Sequence, residues 1–143
     1  MRLSILVEER RGSSILGEVA YRLENPRPLL QVLGEDLVAY EAEVFATEGN
    51  GAWPALSPAT LKAKNGGRVL VDTGRLLAGL TSNSAIDVGT DDVTVTASHP
   101  AAGYLKRGTS KMPARDPAPA PPARVTGGWA RSLLSALVEG HRR

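Results

Sequence analysis

The sequence predicts a single α+β domain: a small antiparallel β-sheet with a long helix and a C-terminal helix packed on it, and a Pro-rich extended arm between sheet and last helix. Three observations carry this. Leu30, Leu33, Leu37, Tyr40 and Val44 recur at helical spacing. From Ile86 the apolar period shortens to two. Six prolines between Pro100 and Arg124 then preclude a continuous regular element, and helical spacing resumes near Trp129. The 143 residues suit one domain, read as a core over 1–112, an arm over 113–125 and a helix over 126–143.

Each element has its own local reason. Residues 3–7, LSILV, read as a strand, and their short apolar run followed by Glu8 and Glu9 is too short and acidic for a signal peptide. Residues 14–23 fit either a second strand or a short helix. Asn25-Pro26 is a cap followed by a first-turn proline, opening a helix over 26–47 with Glu35, Asp36, Glu41 and Glu43 largely off its apolar stripe. Gly49 and Gly51 end it. Ser57-Pro58 repeats the device for a helix over 58–64, which Asn65-Gly66-Gly67 stops. Thr73 is placed to cap a helix that turns Leu76, Leu77 and Leu80 inward. Ile86 and Val88, then Val93, Val95 and Ala97, alternate with polar residues about a Gly89–Asp92 turn, which predicts a hairpin. Pro113–Pro122 should be extended and polyproline-like. In the last helix Trp129, Leu133 and Leu137 share a side, with Ala130, Leu134 and Val138 beside them, while Arg131, Ser132 and Ser135 face away. Arg142 and Arg143 suit a helix C-terminus. No internal repeat is visible.

Composition sets the limits on function. The core must be aliphatic, because aromatics are only 4% of the residues. A formal net charge of +2, from 17 basic and 15 acidic residues, does not demand a nucleic-acid partner. There is no cysteine, which excludes disulfides and thiolate metal sites, and no apolar run of membrane-spanning length. His99 and His141 are the only histidines. They lie far apart, with no metal-ligand spacing and no nucleophile marked beside either. The Gly-rich turns lack the lysine and helix of a phosphate loop. No catalytic, cofactor or metal residue is assigned.

Lys106, Arg107, Lys111 and Arg115 put four positive charges in ten residues, with Tyr104 close by. Phosphate contact is one reading and a protein interface another. The arm that follows is apolar and unable to fold on itself, so it becomes ordered by lying on a neighbour. That favours an interface made of Tyr104, Lys106, Arg107, Gly108, Lys111, Met112, Pro113, Arg115, Pro117 and Pro119, with a small nucleic-acid-binding module over 104–115 as the alternative. Trp53, Leu61, Leu76 and Leu77 read as plain core.

One stretch is more specific than its chemistry requires. Trp53-Pro54-x-Leu56-Ser57-Pro58-Ala59-Thr60-Leu61-x-x-Lys64 is followed by Leu70-x-Asp72-Thr73-Gly74-Arg75-Leu76-Leu77. With Phe45 before it, and Val88-Gly89, Ala101-Ala102-Gly103-Tyr104, Gly108 and Met112-Pro113-Ala114-Arg115 after it, this order resembles the tailed-bacteriophage virion morphogenesis family. That family includes the tail completion proteins of P2-like and Mu-like phages. The resemblance covers roughly residues 29–116. Two departures stand out: one residue fewer between Trp53 and Pro54, and Asp116-Pro117-Ala118-Pro119 where the family continues with an aromatic and a leucine. The resemblance implies an α+β subunit of the neck, assembled as a six-fold homo-oligomeric ring on the head-proximal end of the tail. Its implied partners are the tail tube or terminator and the portal or head-closure proteins, with a passing contact with DNA and no membrane. Its implied location is the virion, and the host cytoplasm during assembly. Trp53, Leu56, Ser57 and Pro58 would form a fixed corner beside the long helix, and Asp72, Thr73 and Gly74 would start the helix that buries Leu76 and Leu77.

Overall fold

The computed structural model describes residues 15–64 and 67–140. The strand expected at 3–7, the cap of Arg142 and Arg143, and His141 lie outside them. The order is α1 (15–24), α2 (Arg27–Ala46), α3 (Pro58–Ala63), α4 (Arg75–Thr81), a 3-10 turn (Asn83–Ala85), β1 (Ile86–Val88), β2 (Val93–Val95), α5 (Ala102–Arg107) and α6 (Ala123–Glu139). Among the described residues the strands form one two-stranded antiparallel sheet. The α+β class and the C-terminal helix are as expected. No helix of the described residues is long and apolar enough to cross a membrane.

Helix α2 is the axis of the fold, packing against α4, both strands and α6. Its 20 residues span about 30 Å at 1.5 Å per residue. The hairpin lies across its middle, and Gly34 is what lets it approach: a Cβ there would sit 2.5 Å from Ile86 Cγ2. A mid-helix glycine costs about 1 kcal/mol relative to alanine, which close packing offsets here. The strands pair Ile86 with Val95 and Val88 with Val93, as their alternation predicts. At the C-terminal end of α2, Phe45 meets Leu76 and Leu80 of α4 in the tightest part of the core. α6 packs with Trp129 edge-on to Tyr40 at 6.0 Å between ring centroids.

Residues 15–24 resolve as a helix, and that moves the cap. Asn25 does not start α2; its backbone N–H and Nδ2 both donate to Tyr21 O and close α1. Pro26 takes the N-cap position of α2 with no side-chain cap. Ser57 caps α3 as expected, its Oγ accepting Thr60 N–H at 3.2 Å. Thr73 does not cap α4: Gly74 holds that position at φ +76, a left-handed turn natural to glycine. α6 starts at Ala123 and so takes the end of the stretch read as arm. Only one of its two apolar columns packs: Trp129, Leu133 and Leu137 are half-buried and Ala136 buried, whereas Ala130, Leu134 and Val138 are exposed.

Two further expectations fail. Leu61 is 46% exposed rather than core, because α3 lies on the surface and buries no residue fully. Glu41, read as largely off the apolar stripe, is only 4% exposed. Its helix is covered on several sides, and its Oε2 has no hydrogen-bond partner.

Candidate functional site: a cleft lined by the Trp53, Asp72 and Arg115 segments

The chain reverses after α2 through four successive residues with positive φ, Glu48, Gly49, Asn50 and Gly51. Thr47 stabilises the turn by accepting Asn50 N–H and donating to Glu43 O. The reversal lays Trp53 over Gly49 so closely that any Cβ there would collide with the indole. Trp53 then stacks edge-on against Phe45, with centroids 5.3 Å apart. Its Nε1–H donates to the carbonyl of Asp116 at 3.0 Å, joining positions 63 residues apart.

Arg115 closes the same corner. It is 5% exposed. Its Nε donates to Pro54 O at 2.7 Å and its guanidinium NH2 to Ala55 O at 2.8 Å, while its backbone N–H donates to Leu105 O at 2.7 Å. Proline 54 and the residue after it thus present two carbonyls in a row, and the planar guanidinium fork takes both. The tight turn that brings Arg115 there needs Gly108, at φ +71. A Cβ on it would stand 2.7 Å from Ala114 N.

Asp116 answers how an arm without the expected aromatic and leucine docks. Its carbonyl accepts from Trp53, its Oδ1 accepts Ala118 N–H, and its Oδ2 pairs with Lys106 Nζ at 3.4 Å. Pro117 is buried and Ala118 packs on the Phe45–Leu76–Leu80 cluster. The start of the arm therefore lies on its own chain rather than projecting towards a neighbour. Burial, and second the Asp116 carboxylate, push the Glu41 pKa from 4.5 up to about 7.

Between this corner and α4 lies a cleft of about 790 Å³. Leu56, Leu70, Leu76, Leu105 and Met112 supply apolar wall, and Lys64, Asp72, Arg75, His99 and Lys111 supply polar groups. Leu70 holds φ +57, rare for a branched side chain, while packing on the core cluster. Three cations against one carboxylate make the lining net positive beyond the internally bonded Arg115. Arg75 and Lys111 are exposed and make no ion pair among the described residues, and Lys64 Nζ donates to Arg68 O.

The expected interface residues therefore divide. Tyr104, Arg107, Lys111 and Pro113 are exposed, and Met112 lines the cleft. Pro119 is half-buried. Gly108 is half-buried, and Arg115 and Pro117 are buried, so the expectation of Arg115 as a partner-facing charge is corrected. Its burial is invisible in a local reading because the two carbonyls it needs lie 60 residues away. Of the motif residues, Leu56, Ser57, Asp72, Thr73, Gly74 and Leu76 all line the cleft. Trp53 and Leu77 pack on the core cluster and Leu61 faces solvent. His99 also lines it, with Nδ1 accepting Ala101 N–H at 3.2 Å. That bond occupies the nitrogen through which a carboxylate would orient the ring for base catalysis. Compared with known protein families, curated proteins and solved structures, the chain finds no match.

Proposed function

We propose that this protein is a structural subunit of the tailed-phage virion, a neck or tail completion protein that forms a ring on the head-proximal end of the tail. The observation that supports it most is convergence. The segments around Trp53, Asp72 and Arg115 carry the resemblance while lying up to 63 residues apart, and they meet in one corner and line one cleft. What they build there is a rigid, concave, positively lined surface held by backbone capture. That suits the positioning of a protein segment, and ring subunits need such surfaces because each must meet a different face of its neighbour.

Phosphate recognition by 104–115 is the weaker reading. Arg115 bonds to its own backbone and Lys106 pairs with Asp116, which leaves Arg107 and Lys111 as the cluster's unpaired cations among the described residues. A nucleic-acid module would show binding that falls steeply with salt.

The assembly reading is tested by antibody labelling of particles induced from the source strain, viewed by negative-stain electron microscopy. Label at the neck or head-proximal tail end is the expected result. Intact tailed particles without label, with the protein left in the lysate, would overturn it.

A further inference from the structure

Helix α1 leaves several large apolar side chains exposed. Its sequence, ILGEVAYRLE, places Ile15, Leu16, Val19 and Leu23 on one stripe. Yet Leu16 is 71% exposed, and Ile15 and Leu23 are each more than half exposed. The hydrogen bonds described from α1 to the rest of the fold come from Arg22, to the carbonyls of Leu137 and Val138 at the end of α6. Val19 is half-buried, so three of the four stripe residues stand in water; such a helix lacks a groove, and a groove with apolar walls lies on the same molecule.

The two do not meet within one chain. α1 joins the N-terminal end of α2, whereas the cleft is built at the C-terminal end, about 30 Å away along 20 residues. Ten helical residues cover about 15 Å, so α1 folded back along α2 would reach only halfway. The charges match across copies. α1 bears two exposed acids and one cation: Glu18 pairs with Arg22, which α6 also holds, and Glu24 makes no ion pair among the described residues. The cleft offers Arg75 and Lys111 unpaired, with Lys64 beside them.

We propose that α1 of one copy docks its Ile15–Leu16–Val19–Leu23 stripe in the Leu56–Leu70–Met112 cleft of the next. This rests on the assembly reading and specifies its contact. The contact is heterologous, one patch against a different patch, which is the geometry that closes into rings. It is also a helix-in-groove mode, in which residues at i, i+4 and i+8 anchor the helix.

A mixing experiment with the full chain separates this from other arrangements. A Leu16→Asp, Leu23→Asp variant loses the helix stripe and keeps the cleft. An Arg75→Glu, Lys111→Glu variant reverses the charge of the cleft rim and keeps the helix. All four positions are exposed, so both variants should fold, as circular dichroism will show. In sedimentation velocity the unaltered protein is expected to assemble and each variant alone to run as a monomer. An equimolar mixture is expected to give a species of two chains and no larger one, because each variant retains the half that the other lacks. Continued assembly of either variant overturns the α1–cleft contact while leaving the assembly reading in place, and so does a mixture that stays monomeric. A monomeric unaltered protein at every concentration overturns both.

Discussion

The two ends of α2 are built on opposite principles. At its C-terminal end Phe45, Trp53, Arg115 and Asp116 interlock, with Trp53 and Arg115 donating to backbone carbonyls of the same chain. At its N-terminal end α1 and the outer column of α6 leave Leu16, Leu23, Leu134 and Val138 in water, and Arg22 is the tie between them. The segments on which the proposed assembly role rests collect at the first end, and none of them lies at the second. The contrast teaches where intramolecular stability and intermolecular contact should separate. Substitutions in the corner should destabilise the subunit, and substitutions at the open end should leave its stability unchanged and alter what it binds.

The largest effect is expected at Arg115. Arg115→Ala removes two charge-assisted hydrogen bonds and leaves Pro54 O and Ala55 O unpaired in a buried corner. That should cost about 3 kcal/mol in urea unfolding. Arg115→Lys should recover less than half, because an ammonium does not reproduce the fork. A loss below about 1 kcal/mol for the alanine variant would break the comparison at its stronger end.

Glu41 tests the same end through pH. Its folded pKa of about 7 lies above its ordinary value of 4.5, so the folded state holds the proton more tightly than the unfolded chain. Its contribution to stability is therefore full below about pH 4.5, declines as pH rises towards 7, and is constant above that. Glu41→Gln should remove this decline and raise stability at pH 8, by on the order of 2 to 3 kcal/mol. An unchanged pH profile would show that the carboxylate is solvated in the folded protein.

Trp53→Phe keeps the edge-on contact with Phe45 and deletes the bond to Asp116 O. About 1 kcal/mol is the expected loss, with faster amide exchange over 116–118 as the sharper readout. Leu134→Ser, at the open end, should change subunit stability by less than about 0.5 kcal/mol. A larger loss there would mean that the open end is part of the subunit's own core.

What was legible in the sequence was what depends on near neighbours. The α2 stripe, the Ser57 cap with Pro58, and the Ile86–Val95 hairpin each follow from spacing and turn chemistry within a few residues. What was not legible depends on residues far apart. Arg115 reads as one more basic residue until Pro54 and Ala55 are brought to it. Glu41 reads as largely off the apolar stripe until the arm and α6 cover α2. Asn25 reads as a start signal because nothing local says that residues 15–24 are already helical, which makes it an end. The corner was legible as a motif but not as a geometry, since the strings around Trp53 and Arg115 carry no sign that one binds the other.

The central claim is that a locked corner and an open helix make this a ring subunit. Negative-stain class averages of the purified full chain at high concentration test it most directly. Closed rings with six-fold symmetry are the predicted result. Monomers, or two-fold dimers in which identical faces meet, would contradict it.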